Sequence, residues 1–381
     1  MIDAAMSERR MRVVVCGTTF GQVYLNAFRD AGLPFELAGI VARGSVRSRE
    51  CAERWGVPLF TEALQVPGDT DIACVVVRSG ALGGRGTELA TTLMRRGIHV
   101  LQEHPVHHDD LAACLTQAHR HRVVYRLNSF YPHLEPVRRF LAAARRLISR
   151  QRPLFVDAAC AIHVAYPLFD ILGQALGGVR PWSVNALLPA TESPPPPDEG
   201  GAPFRSLEGL IGGVPLTLRV QNQIALGDPD NHLHLLHRIT IGTEGGNLTL
   251  VDTHGPLLWS PRLHIPAEMK DHFDLAAADS AEHLDFASSA PLGPPSGPTF
   301  REILGSMWPA GVAAALLELR TAILNGEDPR PKGQYHLALC RIWQETTSRL
   351  GYPELIRFPD PRPLAIADLA PGFAPNWKMD T

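Results

Sequence analysis

Through residue 127 the chain alternates short, mostly apolar runs with stretches whose apolar residues recur at helical spacing. The runs fall at 12–16, 35–42 and 71–77, around Val100 and Leu101, and at 123–127. Continuous apolar runs of this length are what strands buried on both faces look like. Between them, Tyr24, Leu25 and Phe28 mark one helix and residues 87–96 another, and a further helix, capped by Asp109 or Asp110, reaches about residue 121. Strands alternating with helices at this spacing predict a parallel, doubly wound α/β sheet. Ligands of such sheets bind along the carboxyl edge, which here carries Gly17, Arg43, Arg78, His104 and Asn128.

Beyond Arg152 the pattern changes. An amphipathic helix at 136–148 precedes strands at 154–161 and 182–188, which flank a helix at 167–176. Pro194 to Pro197 with Asp198-Glu199-Gly200-Gly201 read as an exposed loop. Runs at 204–211 and 216–222, joined by Gly212-Gly213, then at 232–241 and 247–251, predict hairpins of an open, mostly antiparallel sheet. Residues 266–298 read as a long surface loop, and helices at 300–324 and 335–350 finish the ordered part.

Composition narrows the function classes. An apolar fraction of 45% and a net charge of −3 describe an ordinary soluble protein, with no general attraction for nucleic acid or an anionic membrane. No window approaches the roughly 20 apolar residues of a membrane span. Six cysteines lie far apart without a C-x-x-C pair, the pattern of buried free thiols in a reducing compartment. The first ten residues are polar and lack a signal-peptide core, so a disordered leader and a cytoplasmic location are expected. His232, His234, His237, His254 and His264 cluster in sequence, but no cysteine or carboxylate has zinc-like spacing beside them, and no metal site is expected.

The chemistry concentrates on the predicted sheet edge. Gly17-Thr18-Thr19-Phe20-Gly21 follows the first strand and opens a helix, the context of a dinucleotide turn. Aligned on Gly21, the first two glycine positions of G-x-G-x-x-G hold Cys16 and Thr18, so the fingerprint is imperfect. Thr18 and Thr19 add hydroxyl donors. After the second strand, where an acidic residue would hold the ribose of NAD, stand Arg43, Ser45, Arg47 and Ser48. Arginines and serines suit a 2′-phosphate, so NADPH is expected over NADH. Arg78 and Ser79 end the middle strand and are expected to face the cofactor. Val100-Leu101-Gln102-Glu103-His104-Pro105 reads as a strand stopped by a residue without a backbone donor, leaving His104 on the edge. Asn128-Ser129-Phe130-Tyr131-Pro132 closes the next strand in the same place.

With these motifs the chain resembles the glucose-fructose oxidoreductase and inositol dehydrogenase superfamily, where a Rossmann domain precedes an open α/β domain whose sheet often supports dimers. That superfamily commonly has Glu-Lys-Pro where this chain has Glu103-His104-Pro105, and the first lysine here is Lys270. The departure, together with the glycine turn, the arginine-rich loop, Val77-Arg78-Ser79 and the run from Asn128 to His133, looks like the thiazolinyl imine reductases of siderophore biosynthesis. The resemblance implies NADPH-dependent reduction of a thiazoline to a thiazolidine on an intermediate tethered to a nonribosomal peptide synthetase carrier domain, by a homodimer. It implies a leader at 1–10, an NADP-binding Rossmann domain at 11–131 and a substrate-binding and dimerisation domain at 132–381. His104 and Tyr131 are the candidate proton donors. Glu103 is expected to orient a neighbour or touch a ribose, and Asn128 to hold the nicotinamide ribose or the substrate. A sugar or cyclitol dehydrogenase is the rival enzyme reading and calls for a base in the lysine position. A nucleotide-sensing protein without catalysis is the rival outside enzymology.

Overall fold

The computed structural model describes residues 9–77, 85–186, 202–225, 232–265, 282–357 and 361–369. Arg78 and Ser79, the Pro-rich insert and most of the expected leader lie outside these residues.

Strands β1 (Met11–Cys16), β2 (Phe35–Val41), β3 (Leu59–Phe60), β4 (Ile72–Val75), β5 (His99–Glu103) and β6 (Tyr125–Asn128) form one sheet in the order β3-β2-β1-β4-β5-β6. Every adjacent pair is parallel. Val13, Val14, Val15, Ile72, Ala73 and Cys74 are fully buried, as all-apolar strands covered on both faces must be. The helices α1 (Gly21–Ala27), α2 (Val46–Trp55), α3 (Gly86–Arg95) and α4 (His108–His121) lie on the connections between strands. Strand order reverses between β1 and β4, which places the ligand crevice at their carboxyl ends.

A second sheet gathers β7 (Phe155–Ala161), β8 (Ser183–Ala186), β9 (Phe204–Ile211), β10 (Val214–Gln221), β12 (His237–Thr243), β13 (Gly246–Leu250), β14 (Leu257–Pro261) and β15 (Ala290–Pro291). Its order is β15-β14-β13-β12-β7-β10-β9-β8, antiparallel except where β7 meets β10. Helices α5 (Glu135–Ile148) and α6 (Ala165–Leu176) cover one face. Along β10, Leu216, Leu218 and Val220 are buried while Pro215, Thr217 and Arg219 are exposed, so the other face is open. A short parallel pair, β11 (Gln223–Ala225) with β16 (Glu354–Ile356), ties the end of the chain to this half.

The last two long helices return to the first sheet. A helical turn at Phe300–Glu302 and a π-turn at Ile303–Met307 lead into α7 (Trp308–Asn325), which packs on α1. Helix α8 (Arg330–Leu350) packs on α4 and α6. Contrary to expectation, one stretch among the described residues, Phe300–Asn325, is long and apolar enough to span a membrane. Its Val312, Ala315, Leu316, Leu319 and Ala322 are buried against the rest of the protein, while Leu304 and Leu317 are exposed.

Three further expectations change. His107, not an aspartate, caps α4, its ring nitrogen accepting from the Asp109 backbone, while Asp109 and Asp110 fill the first turn and favour the positive end of the helix dipole. The strand expected at 232–241 begins at His237, so His232 and His234 share no strand face. Of the loop expected at 266–298, residues 266–281 lie outside the described residues and the remainder includes the 3-10 turn Glu282–Asp285 and β15.

Candidate active site

The crevice begins at Gly17, whose φ of 101° is reached readily only by glycine and where a Cβ would stand 2.6 Å from the Val76 carbonyl oxygen. The turn then exposes Thr19, leaves Phe20 half-buried and buries Thr18 before α1 starts. At the end of β2, Ser45 caps α2 by accepting from the Ser48 backbone at 3.3 Å. Arg43, Ser45 and Arg47 are exposed around that helix start. Ser48, expected to touch the cofactor, is buried and donates its hydroxyl to the Ser45 carbonyl at 2.8 Å, so it acts through the cap. This arrangement fits a dinucleotide: a turn that glycine reaches most readily at the carboxyl end of β1, and exposed Arg43, Ser45 and Arg47 beyond the end of β2.

β5 ends at Glu103 and the chain leaves the sheet at His104, whose ring is nearly buried. His104 Nδ1 lies 3.1 Å from the Asn128 carbonyl oxygen and 3.1 Å from Glu103 Oε1. Both neighbours are acceptors, so in the neutral ring the hydrogen sits on Nδ1 and the lone pair on Nε2. The ring stacks on Tyr166 at 5.9 Å and meets Tyr131 edge-on at 6.2 Å. Sequence reasoning brought His104 and Tyr131 to one place, and the structure puts them in contact.

Behind His104 lies a buried network whose third member the sequence did not reveal. The Tyr24 hydroxyl on α1 donates to Glu103 Oε2, and Asn128 Nδ2 donates to Tyr24 Oη at 2.6 Å and to Glu103 Oε2 at 3.4 Å. Burial, then the adjoining Glu103 carboxylate, push the Tyr24 phenol well above its ordinary range, so it stays a donor. Asn128, expected to hold a ribose or the substrate, is 1% exposed with its amide engaged by the protein. Glu103, expected to orient a neighbour or touch a ribose, turns its other oxygen, Oε1, to His104.

Tyr131 is delivered by a strained turn. Phe130 has φ 64° and ψ −62°, a sterically costly conformation for a bulky residue, and the Tyr131 backbone donates to the Ser129 carbonyl at 2.7 Å. The Phe130 ring is enclosed edge-on by Phe20 and Trp308, each 5.7 Å away, so the glycine turn and α7 hold this conformer. The Ser129 hydroxyl donates to buried Asp170, which also accepts from Gln174 at 3.0 Å and Tyr335 at 2.9 Å. Beyond Tyr131, at 4.8 Å, stands His237 on β12. Its Nε2 donates to the Val164 carbonyl at 2.9 Å and its Nδ1 accepts from Thr253 at 2.8 Å. Burial drops its pKa to about 4, which keeps the ring neutral.

Residues 11–129 match the oxidoreductase family with an NAD-binding Rossmann fold (GFO/IDH/MocA), and residues 151–260 match the C-terminal domain of thiazolinyl imine reductase, Irp3-like. No curated protein sequence matches the chain significantly. Among solved structures, a point mutant of KijD10, a 3-ketoreductase from Actinomadura kijaniata in complex with TDP-benzene and NADP, is similar with a TM-score of 0.63 at 16% identity, over 91% of this chain and 99% of that one. An oxidoreductase domain protein from Kribbella flavida reaches 0.62 at 17% identity, over 90% and 97%. UDP-N-acetylglucosamine 3-dehydrogenase GnnA from Acidithiobacillus ferrooxidans reaches 0.59 at 14% identity, over 90% and 99%. At these identities the structures share the two-domain fold.

Proposed function

The chain belongs to the GFO/IDH/MocA oxidoreductase family and carries an Irp3-like C-terminal domain, and from that membership we propose that it reduces a thiazoline C=N bond to a thiazolidine with NADPH. The intermediate reduced is one tethered to a nonribosomal peptide synthetase carrier domain. The observation that carries this reading is the pairing of His104 with Tyr131 on the sheet edge, where the superfamily commonly keeps a lysine. Saturating C=N takes a hydride on carbon and a proton on nitrogen. NADPH, when bound, supplies the hydride. The proton comes from His104, charged at Nε2 while Nδ1 stays bonded to Glu103 and the Asn128 carbonyl, or from the Tyr131 phenol. Arg43, Ser45 and Arg47 support NADPH over NADH, with Ser48 holding the helix start they surround. Six free cysteines, five of them buried, suit the reducing cytoplasm, and the open face of the second sheet suits a second copy of the chain.

The test is to mix purified protein and NADPH with a 2-aryl-thiazoline thioester or ester and to follow nicotinamide oxidation alongside product mass. Turnover well above that with NADH, and a product heavier by two hydrogens, is expected. Bound NADPH without turnover refutes the reading. A His104→Ala, Tyr131→Phe double variant is expected to lose turnover, up to the roughly 10²- to 10⁴-fold typical of general acids, the imine's own basicity setting the lower end. Undiminished turnover excludes both as donors.

A further inference from the structure

We propose that Tyr24, Glu103 and Asn128 form a buried clamp that fixes His104 with its hydrogen on Nδ1 and aims Tyr131, so that both donors are set before a substrate arrives; the inference rests on the reading of those two residues given above. Cross-strand register places Glu103 beside Asn128 on β5 and β6, and α1, opening from the glycine turn, brings Tyr24 to both. Asn128 then serves both donors at once. Its carbonyl accepts from the His104 backbone and from His104 Nδ1, each at 3.1 Å. Its Oδ1 accepts from the Phe130 backbone at 3.0 Å, inside the turn that carries Tyr131. Its two amide hydrogens go to Tyr24 and Glu103.

The two ends of the clamp have different work. At the His104 end, Tyr24 and Asn128 hold Glu103 Oε2 so that Oε1 faces Nδ1. Without the Tyr24 hydroxyl, Oε2 keeps only the 3.4 Å contact, the carboxylate is free to rotate away, and the Nδ1 hydrogen is left with the Asn128 carbonyl alone, which weakens the preference for that tautomer and lets the Nε2–H form appear beside it. At the Tyr131 end, Phe130 at φ 64° is strained, a conformation that persists only when its surroundings over-determine it. The Asn128 side-chain oxygen and the Phe20–Trp308 enclosure supply that constraint. Tyr24, Glu103 and Asn128 are thus positioning residues.

The clamp is tested by recording histidine ring-nitrogen NMR spectra on isotopically labelled protein, at a pH where the His104 ring is neutral and with its signal assigned by its loss in His104→Gln. The wild type is expected to show a pyrrole-type Nδ1 and a pyridine-type Nε2. In Tyr24→Phe and Asn128→Ala the two forms are expected to mix, while kcat on the thiazoline falls about 10- to 100-fold with KM and NADPH affinity little changed. Tyr24→Phe removes one oxygen and keeps the ring in the core, so it carries the test if Asn128→Ala does not fold. A wild-type hydrogen on Nε2, or an unaltered tautomer in Tyr24→Phe whatever the turnover does, overturns the clamp. An altered tautomer with unaltered turnover overturns its part in aiming the donors. A wild type with the Nδ1–H form that leaves thiazolines unreduced refutes the proposed function and leaves the tautomer half of the clamp standing.

Discussion

His237 makes the stability of this protein depend on pH in a direction that its burial sets. The ring is fully buried, and its two nitrogens are spent on the Val164 carbonyl and the Thr253 hydroxyl. Burial is the largest cause of the drop from 6.5 to about 4; the Val164 carbonyl and Asp252 oppose it, and His104 and His254 add to it. Between these values the unfolded chain binds a proton at this position and the folded protein does not. Stability is therefore full above pH 6.5, falls as pH drops, and stops falling from this cause below about 4. At about 1.4 kcal/mol per pH unit the whole interval amounts to about 3 kcal/mol, of which about 2 kcal/mol is gone by pH 5. Set against a typical 5–15 kcal/mol for a folded domain, this is measurable. Burial also lowers the pKa values of His99, His133 and His336, so the wild type loses more than His237 alone accounts for. The informative comparison is His237→Gln, whose amide can donate to Val164 and accept from Thr253 without titrating. Urea unfolding at pH 7 and pH 5 should show the wild type losing about 2 kcal/mol more than the variant between the two. Equal losses in the two proteins refute the reasoning.

Replacing Arg43 and Arg47 together by alanine should weaken NADPH binding by about tenfold and leave NADH unchanged in isothermal titration, since exposed guanidiniums contribute well below the 1.5–3 kcal/mol of a sheltered charged hydrogen bond. Equal weakening of both cofactors contradicts the 2′-phosphate assignment. On the open face of the second sheet, Phe155 and Leu210 stand 42% and 38% exposed beside a groove of about 430 Å³. Sedimentation should find a dimer that the double variant Phe155→Asp, Leu210→Asp dissociates, and a monomeric wild type refutes that assembly.

The first half of the fold was legible because its strands are buried on both faces. Runs such as Val13-Val14-Val15 and Ile72-Ala73-Cys74-Val75 carry no polar position that a helix would need, and their spacing leaves room only for crossover helices. The second half was legible where one face is wet, as in β10 with its strict alternation, and blurred elsewhere. Residues 232–236 share the apolar and histidine content of β12 but lie outside the ladder. Gln221 takes up the His232 carbonyl and the His234 amide instead, a side-chain contact that no periodicity announces. The stretch Phe300–Asn325 reads as a core helix or a membrane span by composition alone, and that α7 within it packs on α1 is visible only in the fold.

At the site, the sequence revealed the residues whose position is fixed by where a strand ends and concealed those that arrive from elsewhere. His104 and Asn128 follow from β5 and β6, and Tyr131 from the turn after them. Tyr24 stands at an apolar position of a helix that any core aromatic could fill, and only the half-buried Glu103 carboxylate and the Asn128 amide beside it give its hydroxyl partners. His237 and Tyr166 reach the donors from β12 and α6, and Trp308 from α7, so their part exists only once the second sheet and the last helices have folded onto the first. The same logic explains why an imidazole can stand where the superfamily commonly keeps a lysine. A lysine ammonium is a flexible point charge with three donors, whereas an imidazole has one donor and one acceptor when neutral and works only if the protein decides which nitrogen is which. Here both Glu103 and the Asn128 carbonyl face Nδ1, so under the proposed function the residues that hold them matter as much as the ring does.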